Sequence, residues 1–134
     1  MQLRRKSAFV CGIALIIAAP TFVVAGANSS DGITLEVDQM SISEVMRHAM
    51  TRKLCQRVIK NEASPQEQQQ LVALFKRLHE LRPPRGSAQQ WKKKTTALLE
   101  AATQVANGKA ANKSLARAAN CSSCHRDHRP KIGQ

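Results

Sequence analysis

The sequence predicts an all-α protein, an antiparallel up-down-up-down four-helix bundle, and three observations carry that expectation. Apolar residues recur at i, i+3, i+4 spacing in four separate stretches, three of which open on a Ser-x-x-Glu or Ser-x-x-Gln capping signal. The stretches are joined by only a few residues each, which makes successive helices antiparallel neighbours. No fixed-period self-similarity points to an open repeat array instead.

Residues 1–27 read as a secretory signal peptide: Arg4, Arg5 and Lys6 form the charged region, Ala8 to Ala19 the apolar core and Ala25-Gly26-Ala27 the small-residue cleavage site. The apolar run is broken by Pro20 and falls short of the roughly 20 residues a membrane span needs, so membrane association is not required. Adjacent arginines are ordinary in such a region, so general secretion is expected rather than twin-arginine export. Residues 28–40 follow as an extended lead-in, within which Ile33 to Val37 alternate like a short strand without a hairpin partner. The helical domain is expected over 41–130, with 131–134 as a tail.

The first helix is announced by Ser41 with Glu44, a capping box, and is expected to run from Ile42 to about Lys60. Its apolar stripe is Ile42, Val45, Met46, Ala49, Met50, Leu54, Val58 and Ile59, with Arg47, Arg52, Lys53 and Arg57 largely outside it. Ser64-Pro65-Gln66-Glu67 opens the second, with Pro65 at the first helical position, where its missing N–H costs nothing. That helix carries Leu71, Leu74, Phe75, Leu78 and Leu81 and stops before Pro83-Pro84. Ser87 with Gln90 opens the third, whose stripe is Trp91, Thr95, Leu98, Ala102 and Val105 and whose natural stop is Gly108. The fourth is expected from Asn112 or Lys113 through His128, with Pro130 ending it. Small alanine side chains on the last two helices leave room for a bulky group between them.

Removal of 27 residues leaves 107, one small domain whose core is marginal without reinforcement. It also leaves 18 basic residues against nine acidic ones, a net charge of +9. Nucleic acid, anionic lipid and acidic proteins all suit such a balance. Export argues against nucleic acid, as does the near absence of aromatic stacking platforms: no Tyr, one Trp and three Phe, with Phe9 and Phe22 inside the signal.

Near the C-terminus stands Cys121-Ser122-Ser123-Cys124-His125. On a helix, thiols three residues apart can each add across a vinyl group of one porphyrin, and the imidazole just beyond them can reach its iron, so the spacing predicts one covalently attached haem c with His125 as proximal ligand. A dithiol redox pair would expect a βαβ context, which is missing here. A zinc site made from Cys121, Cys124, His125 and His128 would crowd four ligands into eight residues, whereas the second pair usually comes from a separate segment. Attachment of this kind takes place on an exported apoprotein, so the signal peptide and the motif agree on a periplasmic location.

A four-helix pattern with C-x-x-C-H on its last helix, followed by a ring at His128 and a basic residue at Arg129, resembles the cytochrome c-prime family. The specific match is confined to 121–129; the architecture covers about 90 residues. The resemblance implies a distal face lined by the first helix, and Arg129 as the basic residue beside the cofactor. Members of that family often leave the iron five-coordinate and bind nitric oxide or carbon monoxide.

This first helix instead offers Met46, Met50 and His48. In an antiparallel bundle the level opposite His125 falls near Met46, with Met50 one turn deeper, and His48 lies off the apolar stripe. A methionine thioether on the iron would make a low-spin electron carrier of raised potential. Electron transfer is therefore the leading expectation; a gas-binding haem protein with an open distal site and a non-haem metal-binding helical protein are the alternatives. No catalytic triad, paired-carboxylate motif or phosphate loop suggests an enzyme. Arg126, Arg129 and Lys131 are, as charges of this kind usually are, solvated; beside a haem they could also pair with propionates or form a docking rim for an acidic redox partner. His79 is expected to be a solvated or half-buried helix residue, and Cys55 a buried free thiol that leaves a disulfide-linked homodimer open.

Overall fold

The computed structural model describes residues 36–131. The expected signal peptide, most of the lead-in and residues 132–134 lie outside them. The described chain is all-α: α1 (Ile42–Met46) continues into a π-helical turn (Arg47–Thr51), followed by α2 (Leu54–Ile59), α3 (Pro65–Glu80), α4 (Ala88–Ala106), α5 (Asn112–Ala118) and α6 (Cys121–His128). No strand occurs among the described residues, and no helix among them is long and apolar enough to cross a membrane. Residues 36–38 are helical where an extended lead-in was expected, and Val37 and Met40 are buried.

The two long helices follow their sequence signals closely. Ser64 accepts the Glu67 amide while the Glu67 carboxylate accepts the Ser64 amide at 2.9 Å, and α3 ends before the two prolines. Ser87 caps α4, and Gly108 takes a φ of +75° just beyond its end. The pair pack along one another and bury Leu71, Leu74, Phe75 and Leu78 against Trp91, Leu98 and Ala102. Side chains of α4 also complete the end of α3: Trp91 Nε1–H donates to the Leu81 carbonyl at 2.8 Å, and Lys92 Nζ to that of His79 at 2.8 Å. His79 is half-buried, as expected, with Nδ1 3.1 Å from Thr95 Oγ.

The expected uninterrupted helix over 42–60 is broken. Counting from buried Ala49, an unbroken α-helix would turn Arg52 and Lys53 inward, three and four residues on. The π turn and the left-handed Lys53, at φ +60°, absorb the misfit. Both cations come to the surface, and Leu54, Cys55 and Val58 enter the core at 6%, 3% and 1% exposure. Asn112 then closes α2 from a distance, its amide donating to the carbonyls of Val58 and Ile59 at 2.9 and 3.2 Å.

The expected fourth helix is also two. Ala119 and Asn120 leave helical geometry after α5, and Asn120 begins a new helix as its N-cap. α5 packs on α4 and α2, and α6 packs on α4.

Candidate functional site

The whole Cys121-Ser-Ser-Cys-His run sits on α6, and Asn120 sets where that helix begins. Its Oδ1 accepts the Ser123 amide at 3.0 Å and the Ser122 hydroxyl at 2.8 Å, which satisfies a donor left free in the first turn. This cap is legible in the sequence as an Asn before the motif, although the helical periodicity of 112–128 hides it. With Cys121 as first helical residue, Cys124 lies one turn further on and His125 next to it. Cys121 and His125 are exposed, Cys124 is half-buried, and both thiols are free. Burial raises the Cys124 thiol above its ordinary value, partly opposed by the ammonium of Lys94.

The C-terminal half of α6 is held by two basic residues. Lys94 Nζ donates to the Ser123 carbonyl at 2.7 Å and to Asp127 Oδ2 at 2.6 Å, and this hydrogen bond holds the Asp127 carboxyl below the usual range. Arg85, in the link between α3 and α4, donates from Nε to the Asp127 carbonyl at 3.2 Å and from a guanidinium nitrogen to that of Arg126 at 2.5 Å. Cations on the last carbonyls of a helix complement its dipole.

His128 is buried, 2% exposed, with its ring edge-on to Trp91 at 5.3 Å between centroids. Its Nδ1 lies 3.1 Å from the Arg85 carbonyl, and because a carbonyl only accepts, Nδ1–H is the donor of that hydrogen bond. Nε2 has no hydrogen-bond partner among the described residues.

Two apolar spaces meet at Cys124 and His125. A cavity of about 130 Å³ is lined by Met46, Met50, Leu78, Leu98, Cys121 and His125, among others. A wider groove of about 720 Å³ is lined by Ile42, Met46, Trp91, Cys124, His125 and His128, and reaches Arg129. Of the residues singled out from sequence, Met46 lines both spaces and Met50 only the smaller one. His48 borders neither; it is half-exposed, with Nδ1 3.5 Å from the Arg52 guanidinium. Thr51, Leu81 and Trp91 were not among the sequence candidates for the site; they reach it because the π turn and the ends of α3 and α4 converge there. Cys55 is buried and free on α2, and burial pushes its thiol up to about 11.

The site therefore consists of two accessible thiols and an imidazole on one short helix, opening onto apolar space. These residues fit a covalently held haem: the thiols are unpaired, the helix sets them a turn apart, and the groove falls within the roughly 300–1,000 Å³ of cofactor sites. The described residues hold no cluster of three or more Cys, His, Asp or Glu side chains arranged as a metal site. Compared with protein-family models, curated proteins and solved structures, the chain matches none.

Proposed function

We propose that this protein is a periplasmic monohaem c-type cytochrome that transfers electrons. The observation that carries the reading is that Cys124 and His125 open onto apolar space that Met46 also lines. Haem c supplies a one-electron Fe(III)/Fe(II) couple when bound. Cys121 and Cys124 would hold it through thioether bonds, and the neutral imidazole of His125 would be the proximal ligand.

The remaining residues have separable tasks. Met46, which lines the cavity beside His125, would offer a thioether to the iron, with Met50 as the alternative. Trp91, Leu98 and Leu78 exclude water, which stabilises the less charged reduced state. Arg129, which lines the groove and is exposed, would pair with a propionate. We read α1, the π turn and α2 as one broken rod and α5 with α6 as another, which with α3 and α4 would make the expected up-down-up-down four-helix bundle. The residues expected to direct export, 1–27, support the periplasmic location.

The test is the absorption spectrum of the exported protein with haem staining of a denaturing gel. Covalent stain and a low-spin reduced spectrum are expected, and Cys121→Ala with Cys124→Ala together should abolish the stain. A high-spin spectrum with free carbon monoxide binding would replace electron transfer by the gas-binding reading; absence of stain would leave a non-haem helical protein.

A further inference from the structure

A second groove flanks α6. At about 100° per residue, Cys124, His125 and His128 turn toward the apolar groove, whereas Ser123, Arg126 and Asp127 turn toward the other flank. There α6 and α4, with the end of α5, enclose a polar groove of about 500 Å³. Its walls carry four cations, Lys93, Lys94, Arg117 and Arg126, and a single acid, Asp127. That acid is occupied within the wall, with Lys94 Nζ at 2.6 Å and Arg126 Nε at 3.4 Å. Lys93 and Arg117 come from different helices and are both exposed. A concave surface of one sign concentrates potential well beyond the same charges on a flat face.

We propose that this groove is the docking site for an acidic segment of a partner protein. The purpose of such docking rests on the electron-transfer reading, since Cys124 lines this groove as well and a segment bound here would sit against the cofactor-bearing helix. The recognition itself rests only on shape and charge. A membrane surface would meet the rims but could not fill a recess between two helices, whereas an extended peptide with two or three carboxylates can enter it and reach Lys93 on one wall and Arg117 on the other. Carboxylates match guanidinium geometry, and the amide of Gln90 adds a neutral donor.

The experiment is calorimetric titration of the exported, mature protein with a hexaglutamate peptide at low ionic strength. The variants are Lys93→Glu with Arg117→Glu and, as a control of equal charge change, Lys60→Glu with Lys109→Glu, which are exposed and outside the groove. Affinity should fall about tenfold or more for the groove pair and at most about twofold for the control. Equal loss in both pairs would mean that only net charge matters, and failure of the native protein to bind the peptide would also overturn the proposal. So would phosphatidylglycerol vesicles that depend on Lys93 and Arg117 while hexaglutamate does not. Circular dichroism checks that each variant folds. Haem staining of the same samples tests the cytochrome reading separately: unstained protein with groove-dependent binding would sink that reading alone.

Discussion

Gly86 and Asp127 lie so close that a Cβ at Gly86 would sit 2.6 Å from the Asp127 carbonyl oxygen, and 2.9 Å from Nδ1 of His128. Gly86 also takes a φ of +80°, and the neighbouring Arg85 holds the same turn of α6 through two hydrogen bonds. The link between α3 and α4 is thus fitted directly onto the end of the motif-bearing helix.

Gly86→Ala should therefore cost about 2–4 kcal/mol, combining left-handed strain with steric displacement of α6. Gly108→Ala is the matched comparison, because φ there is +75° but nothing lies within 4 Å of a new Cβ. It should cost only about 1–2 kcal/mol, the strain alone. Urea denaturation of the two variants measures the difference; equal costs would show that the Asp127 contact is easily relieved.

His128 fills space more than it makes bonds, since only Nδ1 is paired. His128→Phe would keep an edge-on ring against Trp91 and remove the unpaired Nε2, at the expense of the bond to the Arg85 carbonyl. A change within about 1.5 kcal/mol is expected, against about 3 kcal/mol or more for His128→Ala, which leaves a cavity. Thermal unfolding of both variants checks this ordering.

The Cys55 thiol supplies an alkaline limit to stability. Its ordinary value of 9.0 applies in the unfolded chain and about 11 in the fold, so the unfolded state gives up the proton first as pH rises. Its contribution is complete below about pH 9 and is lost as pH climbs toward 11, a change on the order of 2 kcal/mol. Cys55→Ala should flatten that limb relative to the native protein while lowering stability at neutral pH. Lysine titration affects both proteins alike, so the difference between their pH–stability curves isolates the thiol.

On the proposed cytochrome reading, Met46, which lines both apolar spaces, is the first candidate for the sixth ligand. In the haem-loaded protein, Met46→Ala should convert a low-spin spectrum to high-spin and admit carbon monoxide. Met50→Ala should leave the spectrum unchanged, and His48→Ala likewise, because His48 borders neither apolar space. A spectral change in Met50→Ala with none in Met46→Ala would place the ligand one turn deeper.

Much of the helical layout was legible in the chain. The capping boxes at Ser41 and Ser64, the cap at Ser87 and the stop at Pro83-Pro84 act within a few residues of the backbone groups they satisfy, so α3 and α4 could be drawn from sequence alone. The Cys121, Cys124 and His125 group was equally visible, because its members need only one helical turn to come together. The two breaks were not. The one at Lys53 arises because an unbroken helix would bury Arg52 and Lys53; the stripe drawn from sequence set both cations largely outside it, although they stand three and four residues after Ala49. The one at Asn120 was hidden by the helix-favouring alanines before it, which continue the periodic pattern across an Asn that is itself a capping residue.

By itself, then, the sequence determined the helical character of the chain, the two long helices and the spacing of two thiols and an imidazole, all of which depend on local geometry. Only the tertiary structure decided that Met46 lines both apolar spaces beside His125 and Met50 only the smaller one. It also decided that His128 is buried against Trp91, and that Lys93 and Arg117, 24 residues apart, face one recess. Those relationships are set by how helices pack against one another, where a shift of one residue in the π turn redirects every side chain that follows it.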